Sequence, residues 1–401
     1  MESVSLHCTK CHKPFRADQA VFRCDACNEP LEAEEISKGR IREGNMLNQT
    51  IWERYGDFFP FLESGFKISL GEGFTPLAES RALAESLGMQ GIYFKNESQN
   101  PTWSFKDRGT SAGIMHAKGL GYKRIGTVST GNMATSVAAY GTASGMETFV
   151  LVSKGISQEK INPIAIYNPH LIKVDGDYGE LYFESLRIGK ENDIYFVNSD
   201  APMRVEGSKT IAYEICEQLG FDMPDYVIVP TSAGGNIRGI EKGFREFRAC
   251  GLIDRAPKII CAQALGCSPI YAAYKNGSEE ISRAEDPHTI AHAIENPYPP
   301  SGNRVLKLLR QNGGISAAVS DEEILKAQAL MAGEGIFGQP ASAVPLAVVI
   351  KLKAEGILKG NEKIVCIVTG SGLKYTAALE MHELKSSECK LKELGNFIKN
   401  L

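Results

Sequence analysis

Eight short apolar runs, each followed by a stretch of helical periodicity or a polar connection, leave this chain few ways to fold. The runs predict strands at 92–95, 125–129, 148–153, 171–174, 194–197, 226–230, 258–262 and 364–369. Helical patterns between them include 132–144, 204–219, 234–248 and 321–333. A continuous apolar strand must be covered on both faces, so the alternation predicts an α/β protein with parallel sheets between layers of helices. That many strands exceed one small open sheet. Two lobes are expected, with a site in the crevice at the strand C-termini.

Composition narrows the class further. The chain has 401 residues, 44 Lys and Arg against 48 Asp and Glu, and a net charge of −4. This balance argues against a nucleic-acid binder, which carries a basic excess or stripe. Hydrophobic residues at 43% and charged residues at 23% fit an ordinary globular protein. No apolar run approaches the roughly 18–20 residues of a membrane span, so no membrane partner is expected. The N-terminus lacks the basic and apolar regions of a signal peptide. The expectation is a soluble, cytoplasmic protein.

Ten cysteines are unevenly distributed. Cys8, Cys11, Cys24 and Cys27 form two C-x-x-C pairs separated by twelve residues. Such knuckles can present four thiolates tetrahedrally to a structural zinc ion. Cys216, Cys250, Cys261, Cys267, Cys366 and Cys389 are scattered, several within apolar segments, and need no function. The predicted organisation is a zinc-ribbon-like segment at 1–31 and a connector at 32–70, packed on the body through Trp52, Tyr55, Phe58, Phe59 and Phe61. A main body follows at 71–385, its smaller lobe near 110–200, and a C-terminal helix at 386–401. Leu391, Leu394, Phe397, Ile398 and Leu401 fall on one face of that helix, suited to docking on the same chain or to a subunit contact.

Four segments carry candidate chemistry. Asn100 to Gly113 places Lys106 after a loop and before small residues that continue as a helix. A lysine amine freed of its proton by desolvation or a neighbouring cation can attack a carbonyl. Ser129, Thr130, Gly131 and Asn132 follow a strand and open a helix, offering hydroxyls and N–H groups to an anion. The turn from Thr231 through Ser232, Ala233, Gly234 and Gly235 to Asn236 repeats that arrangement and suits a phosphate. It is neither a Walker loop nor a G-x-G-x-x-G turn, which argues against a nucleotide. Thr369 to Lys374 is a third small-residue loop after an apolar strand, with hydroxyls available to a heteroaromatic nitrogen.

Taken together, GEGFTPL, NPTWSFKDRG, STGNM, NSDAPMRVEGSKTIAYEI, PTSAGGNI, TIAHAIENPYPPSG, SDEEILKAQALMAGEGIFGQPASA and VTGSGLK closely resemble the threonine synthases of the fold-type II pyridoxal 5′-phosphate family. The resemblance implies a two-lobed fold like that of tryptophan synthase β, with pyridoxal 5′-phosphate as cofactor. Lys106 would hold the cofactor and shuttle protons. Asn132 would bond its ring oxygen, Ser232, Ala233, Gly234, Gly235 and Asn236 would cradle its phosphate, and Thr369 would face its pyridine nitrogen. Ser129 and Thr130 would hold the substrate carboxylate, and Asn198, Ser199 and Arg204 its phosphate, with Lys209 as a further candidate. The implied reaction turns O-phospho-L-homoserine and water into L-threonine and phosphate in a homodimer. Four positions depart from the family pattern: Trp103 for glycine, Met133 for threonine, Ala233 for asparagine and Gln339 for glutamate. Trp103 adds bulk beside Lys106, and Met133 removes a hydroxyl from the substrate side. β-Replacement on O-phosphoserine and dehydration of serine or threonine therefore stand as alternatives.

Overall fold

The computed structural model describes residues 5–45, 48–62, 68–176 and 178–401. Three sheets organise them. The first is a small antiparallel sheet of β1 (Ser5–Cys8), β2 (Pro14–Arg16) and β3 (Leu31–Ala33), in the order β2-β1-β3. The chain then enters a larger sheet with β4 (Leu77–Glu79) and β5 (Gly91–Asn96). It leaves to build a second lobe from β6 (Arg124–Val128), β7 (Glu147–Ser153), β8 (His170–Val174) and β9 (Ile194–Phe196). It returns through β10 (Tyr226–Pro230), β11 (Lys258–Ala264), β12 (Ile315–Val319) and β13 (Lys363–Val368).

The larger sheet runs β12-β11-β10-β13-β5-β4 and the smaller β8-β7-β6-β9. All eight expected strands are present. Two more were not expected: β12, whose Ile-Ser-Ala-Ala-Val has a small-residue centre, and the three-residue β4. β4 pairs antiparallel with β5, so the larger sheet is parallel except at this edge. The central strands β10 and β13 bury Val and Ile on both faces, which is why helices cover both sides.

Glycines set how closely three helices pack. The helix Pro202–Gln218 lies between the helices Lys106–Gly119 and Gly235–Ala249. A Cβ on Gly207 would stand 2.4 Å from the Arg108 carbonyl, and one on Gly239 would stand 2.5 Å from the Val205 carbonyl. Backbone therefore meets backbone, and the N-terminal ends of the three helices are drawn to one crevice.

The aromatic connector joins the largest core: Tyr55 and Phe58 are fully buried against Tyr213 and Phe247. The ribbon sheet extends to Ala33, slightly past the expected boundary at 31. At the other end, helix forms only over Leu394–Lys399, after a tighter turn at Leu391–Glu393. Leu391, Leu394, Ile398 and Leu401 stand exposed, so of the two roles open to this face the fold does not show docking on the same chain. No helix among the described residues is long and apolar enough to cross a membrane.

Candidate active site

The loops at the C-terminal ends of β6, β10 and β13 face one another across a cavity of 450 Å³. Its lining includes Lys106, Ser129, Thr130, Asn132, Ser199, Arg204, Ser232, Ala233, Gly234, Gly235, Asn236 and Thr369. Residues far apart in sequence thus meet at one place.

Lys106 begins its helix at the base of the cavity, with its amine 4.4 Å from the centre of the Phe105 ring. Among the described residues the amine has no hydrogen-bond or carboxylate partner. Burial, helped by the charges of Arg204 and Lys374, lowers its pKa to about 7. The amine is therefore available as a nucleophile or base near neutral pH.

Arg204 is buried in the first turn of its helix and donates to Thr110 Oγ1 at 2.8 Å. Among the described residues it pairs with no carboxylate, and burial lowers its pKa to about 10 despite the opposing charge of Asp107. Lys374 donates to the Thr102 carbonyl at 2.7 Å and is likewise lowered by burial, to about 8. Two under-compensated cations and one partly protonated amine thus surround the cavity, an arrangement that invites an anionic guest.

The 231–236 turn has the form of an anion cradle. Gly234 has φ +94°, a conformation costly for other residues, and a Cβ on Gly235 would stand 2.5 Å from the Ser199 carbonyl. Asn236 buries both polar atoms of its side-chain amide without a partner among the described residues. The helix Gly235–Ala249 points its N-terminus at the same space. Asn132 Nδ2 donates to Gln339 Oε1 at 3.1 Å, and the Thr369 hydroxyl lies 3.1 Å from Ser342 Oγ. A flat ring carrying a phosphate and an aldehyde fits this donor set: an orphaned amide at the glycine turn, a free amine at the base, and hydroxyl and amide groups on the walls.

Several expectations need correction. Asn198 is absent from the lining: its Oδ1 accepts from the Val128 N–H at 3.1 Å and its Nδ2 donates to Ser185 Oγ at 3.0 Å. It therefore braces the end of β6. Lys209 is also remote, held among Glu206, Glu246 and the Phe58 carbonyl. Trp103 is 52% exposed and does not line the cavity; its backbone has φ +63°, the conformation that favours glycine at such a position. Met133 does line the cavity, buried with Val137 and Tyr140 in the smaller lobe's core. The lining also contains residues not anticipated as site residues: Lys374, His292, Glu295 and Asn296. Lys374 shares a loop with Thr369, a proximity visible in the sequence. The other three come from 290–297, whose position only the tertiary fold reveals.

The four N-terminal cysteines form a second cluster. Their sulfurs all lie within 4.8 Å of one another, with Cys8 and Cys27 at 3.4 Å and Cys11 and Cys24 at 3.6 Å. Sulfurs of a tetrahedral Cys₄ zinc site, at about 2.3 Å from the metal, are separated by nearly this spacing.

A family model described as pyridoxal-phosphate dependent enzyme matches residues 68–370. The chain is 40% identical over 404 residues to a threonine synthase of Methanocaldococcus jannaschii, covering 98% of this chain and 99% of that one. It is 37% identical over 325 residues to a threonine synthase of a Bacillus species, covering 80% and 89%. Among solved structures, maize serine racemase superposes with a TM-score of 0.66 at 22% identity, covering 77% of this chain and 91% of that one. At that identity the likeness speaks for the fold alone.

Proposed function

Because the chain belongs to the pyridoxal-phosphate-dependent enzymes and, among them, to the threonine synthases, we propose that it converts O-phospho-L-homoserine and water into L-threonine and inorganic phosphate. The observation that carries this reading to the residues is the pair of under-compensated cations, Arg204 and Lys374, beside the low-pKa amine of Lys106 around one cavity. A phosphorylated amino acid supplies the charge they lack.

In this reading Lys106 holds the cofactor, Ser232 to Asn236 take its phosphate, and Asn132 and Thr369 fix its ring. When bound, the cofactor spreads the electron pair left on carbon by proton removal. The chain's own residues do the rest. Thr130, Ser129 and the N-terminus of the helix Asn132–Ala143 receive the substrate carboxylate. Ser199 and Arg204 hold the substrate phosphate and stabilise it as it departs. Lys106, about half neutral at pH 7, takes the proton from Cα and then one from Cβ; once the phosphate has left Cγ, Lys106 returns protons to Cγ and to Cα, while water gives its hydroxyl to Cβ and its proton to the medium.

The cysteine cluster is read as a structural zinc site of Cys8, Cys11, Cys24 and Cys27, supported by the sulfur spacing. The family resemblance also supports a homodimer working in the cytoplasm.

The test is a substrate panel on cofactor-loaded protein, with released phosphate and product amino acid measured together. Equal amounts of phosphate and threonine from O-phospho-L-homoserine are expected. Turnover of O-phosphoserine, serine or threonine, with none of O-phospho-L-homoserine, would contradict the reading. Two relatives that cover 98% and 92% of this chain are threonine synthases, which favours the first outcome.

A further inference from the structure

We infer that Arg23, carried by the cysteine ribbon, is a positioning residue for the cavity: it ties the segment bearing Ser199 and Arg204 to the segment that braces the glycine turn. The inference rests on the function proposed above for its kinetic part and on geometry alone for the rest.

Arg23 directly precedes Cys24, one of the four clustered cysteines. Its guanidinium is nearly buried and makes a salt bridge to Asp200, which is 1% exposed. The other carboxylate oxygen of Asp200 accepts from the Tyr182 hydroxyl. Asp200 adjoins Ser199, whose side of the cavity continues into the helix carrying Arg204. Arg23 also reaches the Pro300 carbonyl at 3.4 Å. The next residue, Ser301, donates its N–H to the Ala233 carbonyl in the glycine turn, at 3.0 Å. One side chain from the ribbon thus touches the supports of two segments of the cavity wall, which themselves meet where Gly235 packs on the Ser199 carbonyl.

Two further contacts run the same way. Arg238 donates to Ser301 Oγ at 2.9 Å and to the ribbon's Leu31 carbonyl at 2.8 Å. Met203, the neighbour of Arg204, is 1% exposed and completes the ribbon's own apolar cluster with Leu6, Cys8, Cys24 and Leu31. The ribbon is therefore built into the wall behind the site. Removing Arg23 leaves the Asp200 carboxylate buried without its cation, a costly state that the segment relieves by moving. Ser199 and Arg204 move with it, and their hold on the substrate phosphate loosens.

The experiment uses full-length, metal- and cofactor-loaded protein and compares Arg23→Met, Arg23→Lys, Asp200→Asn and the double variant Arg23→Met/Asp200→Asn. Two readouts are taken: the KM and kcat for O-phospho-L-homoserine, and the dissociation constant of pyridoxal 5′-phosphate from the stripped protein. For Arg23→Met, a rise of about tenfold in KM with a much smaller fall in kcat is expected, together with a weaker hold on the cofactor. Arg23→Lys should recover part of both. In the double variant the two losses should fall well short of additive, as for residues acting as a pair. Unchanged KM and cofactor affinity in folded Arg23→Met would overturn the inference. If Arg23→Met does not fold, Asp200→Asn carries the same test, and unchanged constants there overturn it equally. A wild-type protein that does not turn over O-phospho-L-homoserine refutes the proposed reaction, while the cofactor constants still decide the role of Arg23.

Discussion

Two sets of buried cations lie within a few helices of each other, and they have opposite surroundings. Arg108 donates to both Glu97 and Glu214, and Glu214 also accepts from Lys95. Burial works against these charges, yet Arg108 and Lys95 hold the Glu214 carboxyl down at about 2. Glu214 and Glu97 in turn hold the Arg108 guanidinium well above its ordinary value. Lys209 and Lys242 are paired in the same manner with Glu206 and Glu246. Lys106, Arg204 and Lys374, by contrast, line a cavity with no salt bridge to a carboxylate among the described residues, and all three are lowered by burial. Charge that is neutralised within the fold holds the fold together. Charge left under-compensated beside a cavity waits for a ligand.

The contrast can be broken at either set. The largest effect is expected at Lys106: Lys106→Ala should lower turnover by about 10⁴-fold while leaving the fold intact, measured by kinetics and circular dichroism. Glu214→Gln should do the reverse. Removing one partner of a buried ion network costs about 3–5 kcal/mol, read by denaturant unfolding, while KM in the protein that remains folded stays near wild type. Arg204→Met should raise KM for the phosphorylated substrate by about 10²-fold, since truncating a desolvated charge that holds an anion typically loses 2–5 kcal/mol of binding. Loss of stability in Arg204→Met without loss of substrate affinity would erase the distinction between the two sets.

The smallest expected effect is in pH dependence. An amine with pKa about 7 is mostly protonated below that value and mostly neutral above it. The rate at which stripped protein captures pyridoxal 5′-phosphate should therefore rise about tenfold in going from well below to just above neutrality, then level off. A rise centred near the ordinary lysine value of about 10.4 would place Lys106 with the solvated lysines. For stability, Lys106 binds fewer protons in the folded state than in the unfolded one between these two values. Its contribution to the stripped protein's stability thus improves as pH rises from about 7 towards 10.4.

Much of this architecture was legible in the chain because continuous Val- and Ile-rich strands announce themselves. The strand Ile315–Val319 escaped because its centre is Ser-Ala-Ala, and Leu77–Glu79 because three residues at a sheet edge carry little pattern. The site followed the same division. Lys106, Asn132, Arg204, Thr369 and the turn from Ser232 to Asn236 stand in loops with recognisable chemistry, and they converge. Asn198 and Lys209 had suitable side chains, yet their hydrogen-bonding capacity is taken by Val128 and Ser185, and by Glu206 and Glu246. A sequence shows what a residue can do; only the fold shows whether a neighbour has already claimed it. Trp103 teaches the same lesson about space, since its bulk stands outward and only its backbone occupies the glycine-like position.

The central claim is that Lys106, the low-pKa lysine at the base of the cavity, is the residue that holds the cofactor. Borohydride reduction of the cofactor-loaded protein, followed by peptide mass spectrometry, tests it directly. The account predicts a single stoichiometric pyridoxyl-phosphate adduct on Lys106. An adduct on Lys374 or another lysine, or no adduct in protein that has bound the cofactor, would contradict it.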